Sequence, residues 1–125
     1  MIYDRLYGQN MILGQAMQAS IVRNDVINNN IANAETPGFK ARRVVFEESL
    51  DRALTSSKKT GQLDLTKAKP NVQYVHEDFH YRLDQNNVDI EAEMVALYQN
   101  SIKYDALANA VLNNSKRINL VISGR

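Results

Sequence analysis

The feature that most constrains this chain is a pair of long stripes with a seven-residue period, one at each end. In the C-terminal stripe, mostly apolar residues recur every seven positions, and a second row follows four residues behind the first. This alternating spacing places both rows on one face of a helix with 3.5 residues per turn, which is the geometry of a coiled coil. The two rows are Ile90, Leu97, Tyr104, Val111 and Ile118, and Met94, Ser101, Ala108, Ser115 and Ile122.

A looser stripe opens the chain, with Leu6, Leu13, Ser20, Ile27 and Ala34 in one row and Asn10, Met17, Asn24 and Ile31 in the other. The two stripes predict a mainly α fold, in which long N- and C-terminal helices pair as a coiled coil with each other and with copies of themselves. A short helix and a small extended or β arm are predicted between them. Ten stripe residues are predicted to form the subunit interface: Leu13, Met17, Ile27, Ile31, Ile90, Met94, Leu97, Tyr104, Val111 and Ile118.

The length of the C-terminal stripe supports an interface with other chains. A helix from Asp89 to Ile122 is about 50 Å long at 1.5 Å per residue. A globule of 125 residues is only roughly 35 Å across. The helix is therefore expected to extend beyond its own domain and to need a neighbour for its apolar face. The alternative is a helix that breaks near Asn113 and Asn114 and folds back into an ordinary bundle.

Composition excludes several classes of function. Net charge is +1, from 15 basic and 14 acidic residues that are well mixed, whereas a nucleic-acid module concentrates basic residues on one face. There is no cysteine, and neither a phosphate-binding glycine loop nor a nucleophile elbow is present. We therefore expect no enzymatic activity, no cofactor, no small-molecule substrate and no nucleic-acid partner.

The N-terminus carries Asp4 and Arg5 and lacks the continuous apolar run of a cleavable secretory signal. No segment approaches the roughly 20 apolar residues that span a bilayer. If the protein leaves the cytoplasm, we expect a route that needs no cleaved signal peptide.

Asparagine is frequent in and beside both terminal stripes. It is a poor helix former, but a buried asparagine in an apolar interface can fix register and partner number. For any single asparagine a solvated side chain is the simpler expectation. The whole set indicates helices that become stable through assembly.

The segment between the stripes begins with a sharp reversal. Thr36 precedes a proline and is displaced from helical geometry, while Pro37 and Gly38 suit the two corners of a turn, the second with positive φ. After it we expect a short amphipathic helix from Val44 to Leu54, an exposed loop at 55–61, and one hairpin or extended arm at 63–83. The predicted organisation is a single structural domain with segments 1–39, 40–87 and 88–125.

One motif suggests a different function. The segment His76-Glu77-Asp78-Phe79-His80 matches H-E-x-x-H, in which two histidines one helical turn apart bind zinc and the glutamate activates water. Its flanking residues favour a strand, which separates the histidines by about 13 Å. A small zinc-dependent hydrolase remains one alternative, and a cytoplasmic helical adaptor is another; the expected metal ligands are none.

Two segments resemble conserved motifs of the flagellar axial proteins, the family of rod and hook subunits. The run from Asn29 to Ala41, NNIANAETPGFKA, is similar to their N-terminal motif, and NNVDIEAEM at 86–94 is similar to their C-terminal motif. Within this family, the small size and the Phe46-Glu47-Glu48 segment resemble the proximal rod subunits. The turn residues that this resemblance singles out are Asn33, Thr36, Pro37, Gly38 and Phe39.

The resemblance implies a structural role in the bacterial flagellar basal body. It implies export through the flagellar type III system without a cleaved signal peptide, followed by polymerisation of the terminal helices into the motor drive shaft, the periplasmic rod. The implied partners are other rod proteins, the adaptor at the rod base, the export gate, the MS ring and copies of the same chain.

Overall fold

Two long helices make up most of the computed structural model, which describes residues 2–75 and 82–124. Helix α1 spans Ile2–Ala32 and helix α3 spans Ile90–Ser123. Between them lie strand β1 (Arg42–Val45), helix α2 (Glu47–Thr60), a 3-10 turn (Leu65–Lys67) and strand β2 (Asn71–Tyr74). The predicted fold class is confirmed: the chain is mainly α, with a short helix and a small β arm between the terminal helices.

Helix α3 begins and ends where local chemistry directs it. The Asp89 side chain accepts a 3.2 Å hydrogen bond from the Ala92 amide, which caps the first turn. Gly124 ends the helix in the left-handed conformation at φ 66°. The helix runs without interruption through Asn113 and Asn114 over 34 residues. The alternative of a break at these asparagines is therefore wrong, and α3 is about 51 Å long.

The terminal helices pack against each other in antiparallel directions, as three side-chain contacts show. The Asn30 amide reaches Glu93, the Asn100 amide reaches the Ser20 carbonyl, and the Asn114 amide reaches Asn10. Residues closer to the N-terminus of α1 therefore contact residues closer to the C-terminus of α3. The predicted pairing of the two helices is thereby confirmed.

The middle segment differs from the sequence prediction in its strand pairing. Within residues 2–75 and 82–124, strand β2 pairs antiparallel with β1 and not with a strand of its own segment, with Arg42 opposite Tyr74 and Val45 opposite Asn71. Val44 of β1 is buried. Because β1 is packed in this way, its pairing with β2 attaches the arm to the rest of the molecule. Local propensity identified β2 as a strand but carried no information about so distant a partner.

Helix α2 is longer than predicted and begins later. The polar run from Thr55, expected to be an exposed loop, instead forms the second half of the helix. Lys58 and Lys59 lie in its last turn, where positive charge interacts favourably with the helix dipole. Gly61 ends the helix at φ 73°, and its amide donates a 2.8 Å hydrogen bond to the Ser57 carbonyl. A polar helix face was mistaken for a loop.

Two small apolar clusters hold these elements together. The first joins α1, α2 and the 3-10 turn, and contains Ala19, Phe46, Ala53, Leu65 and Ala68. The second lies where the chain leaves α1 and enters α3, and contains Ala34, Ala41 and Val88, with Phe39 and Val75 packed against it. Neither cluster contains a residue of α3. No helix in the described part of the chain has the length and hydropathy needed to cross a membrane.

Candidate functional site

The two segments that resemble flagellar motifs meet in space at one end of the helix pair. Asn86 is buried between them, and its side-chain amide donates hydrogen bonds to the carbonyls of Asn33 (2.9 Å) and Thr36 (2.8 Å). Its side-chain oxygen accepts a 2.8 Å hydrogen bond from the Val88 amide. One side chain thus satisfies three backbone groups that neither helix can satisfy.

The turn that leaves α1 has the predicted geometry. Gly38 has φ 72°, and the Phe39 amide donates a 3.3 Å hydrogen bond to the Thr36 carbonyl across it. The Gly38 amide also donates a 2.8 Å bond to the Asp84 carbonyl, which ties the turn to the segment preceding α3. Thr36, Pro37 and Gly38 are exposed, Asn33 is half-buried, and half-buried Phe39 packs on the second apolar cluster.

A buried polar network lies one turn further along the helix pair. The Asn30 side chain exchanges two hydrogen bonds with the backbone of Arg42, at 2.8 and 3.0 Å, and its amide donates a third to Glu93. Glu93 is only 1 % exposed, and Arg43 of β1 forms a 2.7 Å ion pair with it. The network joins α1, β1 and α3. Because the buried Glu93 carboxylate needs both Asn30 and Arg43 beside it, other alignments of these elements are disfavoured.

The polar contacts continue along the seam between the long helices. Asn100 is buried and donates a 2.8 Å hydrogen bond to the Ser20 carbonyl. Further along, the Asn114 amide lies 3.2 Å from the Asn10 side-chain oxygen. Glu93, Asn100 and Asn114 lie at seven- and fourteen-residue intervals, so they form a polar row within the helix seam.

This polar row changes which predicted interface residues face α1. In the first predicted row of α3, Leu97, Tyr104, Val111 and Ile118 are half-buried, and on α1 Leu13, Met17 and Ile31 are half-buried and Ile27 is buried. These side chains are therefore partly covered within the subunit. Ile90 and Met94, by contrast, are exposed. Met94 is the first residue of the second predicted row. The row of Glu93, Asn100 and Asn114 takes the place of that second row in the helix seam.

An apolar surface remains on the opposite side of α3. It consists of Met94, Val95, Tyr98 and Ile102, which we name the outer face. These residues recur at spacings of three and four, so they share one side of the helix. Ile102 is 70 % exposed, and a contiguous exposed apolar surface of this kind is typical of a protein–protein contact.

An ion-pair cluster ties together all three helices near this surface. Glu47, at the start of α2, contacts Arg23 of α1 at 2.9 Å and Lys103 of α3 at 2.7 Å. Partial burial opposes ionisation of this carboxyl, but the hydrogen bond from Lys103 and the charge of Arg23 prevail and lower the pKa of Glu47 from 4.5 to about 2. Glu47 is therefore ionised at neutral pH.

The specific residues that hold this site could not be singled out from the sequence. Asn30, Asn86 and Asn100 are buried, whereas Asn28, Asn109, Asn113 and Asn119 are exposed, in line with a solvated side chain as the simpler expectation. The seven-residue spacing of Glu93, Asn100 and Asn114 was a usable signal. The predicted C-terminal rows begin at Ile90 and Met94, and at a seven-residue period they leave out all three of these positions.

The described residues contain no group of three or more histidine, cysteine, aspartate or glutamate side chains that could hold a metal ion. The zinc motif at His76 to His80 lies outside the described residues.

Comparison with known proteins agrees with this geometry. Residues 12–40, which cover most of α1 and the turn, match the family described as "Flagella basal body rod protein". The chain is 33 % identical over 117 residues to the flagellar basal body rod protein FlgB of Bacillus subtilis, covering 90 % of this chain and 91 % of the relative. The chain belongs to the FlgB family of flagellar basal body rod proteins.

Other FlgB proteins are also similar over most of their length. The FlgB protein of Borreliella burgdorferi is 34 % identical, covering 81 % of this chain and 85 % of the relative. That of Salmonella typhimurium is 31 % identical, covering 81 % and 83 %. These alignments include both motifs and the middle segment. As a member of the FlgB family, the chain is a structural subunit of the flagellar basal body rod.

Proposed function

We propose that this chain builds the proximal rod by polymerising through its paired terminal helices. The observation that carries the proposal is the outer face of α3, which stays exposed although α1 covers the opposite side of the same helix. In a rod wall, the outer face packs against a neighbouring subunit. The exposed pair of predicted interface residues, Ile90 and Met94, belongs to this intersubunit contact, whereas the half-buried members of the set hold the helix pair together.

In this proposal the chain works as one structural domain with three segments. Residues 1–39 and 88–125 supply the helices of the rod wall, and residues 40–87 form an arm that the ion pairs of Glu47 hold against them. The Thr36 to Phe39 turn sets the direction in which the arm leaves α1. The role is structural, and no step of it needs catalysis.

We also propose how the chain is exported and which proteins it contacts. The chain leaves the cytoplasm through the flagellar type III system without a cleaved signal peptide and assembles in the periplasm. Its neighbours are copies of itself, other rod proteins, the adaptor at the rod base, the export gate and the MS ring. Support comes from the family membership.

The test separates assembly from folding. Ile102→Glu places a carboxylate on the outer face, where the monomer is already solvated, so its circular dichroism is expected to be unchanged. Within the rod wall the same carboxylate is buried without a partner, and we expect rods to be absent from basal bodies of a strain that carries this variant. Thr55→Glu adds the same charge to an exposed position of α2 and serves as the matched control. Normal rods with Ile102→Glu contradict the proposed packing.

A further inference from the structure

Helix α1 carries an exposed row of residues without a charge. Five exposed positions follow one another at alternating spacings of four and three, which places them on one side of the helix. We name them the α1 row: Tyr7, Met11, Gly14, Gln18 and Ile21. No charged residue occurs from Leu6 to Val22, a length of about 25 Å. A surface helix carries charged and polar residues on its solvated side, whereas the three large apolar side chains of this row are each more than half exposed.

Gly14 lies at the centre of the α1 row without a reason inside the subunit. A Cβ atom added there meets nothing within 4 Å, and the backbone is ordinary helix. Neither space nor conformation excludes a side chain, yet glycine is one of the least favourable residues in a helix interior. The missing side chain leaves a notch in the outer surface of α1. Because the distance between packed helices depends on the side chains at their contact, the notch allows another helix to approach closely.

The outer face of α3 has the complementary shape. Val95, Tyr98 and Ile102 recur at spacings of three and four, as the residues of the α1 row do, and Tyr98 is 67 % exposed. Two helices with this shared period pack side by side, with the side chains of one in the gaps of the other. A face with protruding side chains therefore fits a row whose central position has none.

We propose that the α1 row of one subunit covers the outer face of α3 of a neighbouring copy, with Gly14 at the point of closest approach. Between residues 7 and 75 the helices expose three large apolar side chains, and all three belong to the α1 row. Packing of the outer face on itself closes at two copies, whereas contact between two different surfaces continues from subunit to subunit. The α1 row satisfies both requirements, an apolar helix surface and a surface different from the one it covers.

The last part of α3 is the rival surface, since Leu112 and Leu120 are also exposed. Lys116 lies between them on the same side of the helix, four residues from each, and it is exposed. Covering this surface removes the ammonium group from water, which is unfavourable without a partner charge. The α1 row has no such cost, because it contains no charge.

Glycine substitutions separate this contact from folding. Gly14→Ala is expected to raise the melting temperature of the monomer by about 2–4 °C, and yet to reduce the number of rods at least threefold in a strain that lacks its own copy. Gly14→Leu fills the notch, and we expect an unchanged circular dichroism spectrum and at least a tenfold loss of rods. Gly8→Ala is the matched control on the same helix: Gly8 lies beside Leu63, and its variant is expected to assemble normally. Normal rods with Gly14→Leu, or equal losses from both alanine variants, overturn the inference.

Cysteine cross-linking identifies the surface opposite the α1 row, because the chain has no cysteine of its own. Met11→Cys is combined in turn with Met94→Cys, Tyr98→Cys and Ile102→Cys, and basal bodies are treated with a short bis-maleimide. At least one pair is expected to give dimers and higher multimers, while each of the four single variants stays monomeric. Monomer from all three pairs overturns the inference. So do dimers from Met11→Cys alone, which place α1 against α1.

The inference rests on the proposed function, because it needs a polymer of this chain, and the two fail in different ways. Normal rods with Ile102→Glu contradict the proposed function and this contact with it. Rods that are lost with Ile102→Glu but normal with Gly14→Leu contradict this contact alone, because the outer face is then covered by a different surface.

Discussion

The side-chain amide of Asn30 lies 3.2 Å from the carboxylate of Glu93, across a helix seam that joins residues 63 positions apart. Both side chains are buried. A polar contact of this kind in a mainly apolar seam contributes little net stability, but it penalises every other register of the two helices. For a subunit that must present the same surfaces at each position of a polymer, a unique register matters more than a large stability.

The first prediction concerns this contact. Asn30→Leu removes the hydrogen bond to Glu93, which keeps its ion pair with Arg43, and both side-chain bonds to the Arg42 backbone, so we expect a loss of about 2–4 kcal/mol in the free energy of unfolding. Asn28→Leu on the same helix is the control, since Asn28 is exposed and its side chain bonds, among the described residues, only to that of Asn24; its effect is expected to stay within about 0.5 kcal/mol. Urea unfolding followed by circular dichroism measures both. Equal losses contradict the register role of Asn30.

The second prediction concerns the junction. Asn86→Asp preserves the shape of the side chain and the acceptor for the Val88 amide, but places an oxygen against the carbonyls of Asn33 and Thr36. Two hydrogen bonds become two repulsive contacts, and we expect a loss of about 2–4 kcal/mol in the free energy of unfolding at pH 7. Asn113→Asp, at an exposed position in α3, makes the same chemical change away from the junction. The prediction fails if thermal melts of the two variants coincide.

The third prediction compares two glycines. A Cβ atom added at Gly38 or at Gly14 meets nothing within 4 Å, so the two positions differ in backbone conformation and not in available space. Gly38→Ala places alanine at φ 72° and is expected to destabilise by about 1–2 kcal/mol. Gly14→Ala, inside α1, is expected to stabilise by about 0.5–1 kcal/mol. Differential scanning calorimetry should move the two melting temperatures in opposite directions.

The fourth prediction concerns pH. The pKa of Glu47 is lowered from 4.5 to about 2 in the folded chain, so its contribution to stability is fully present above pH 4.5 and is lost as pH falls towards 2. Because the side chain is 55 % exposed, solvent screening limits that contribution to about 1 kcal/mol or less. Glu47→Gln should therefore flatten the stability curve between pH 4.5 and 2. Glu48→Gln, which changes the adjacent exposed carboxylate, should leave its slope as in the unmodified chain.

The long helices could be predicted from sequence because their signals are local. The seven-residue periodicity identified both stripes, and the helix expected from Asp89 to Ile122 agrees with α3 to within one residue at each end. The Thr36 to Phe39 turn was also predictable, since Pro37 and Gly38 restrict the backbone before any tertiary contact forms. These parts of the fold depend on neighbouring residues in the chain.

The rest depends on partners that are distant in sequence. Strand β2 pairs with β1, although the whole of α2 separates them in sequence, and no residue of β2 indicates which strand it will pair with. The second half of α2 is polar because it faces water, and the same composition suits a loop. The buried roles of Asn86 and Glu93 follow from backbone groups that only the assembled junction brings together. Periodicity located the seam but could not show which of its polar positions are buried.

The most direct test of the account is a cryo-EM map of basal bodies from a strain in which this chain is the only FlgB-family protein. We expect the proximal rod wall to contain this chain with α1 and α3 antiparallel, the Thr36 to Phe39 turn at the base of the arm, and the α3 outer face of Met94, Val95, Tyr98 and Ile102 buried against a neighbouring subunit. A rod without density for this chain, or a rod in which that face lies open to solvent, contradicts the account.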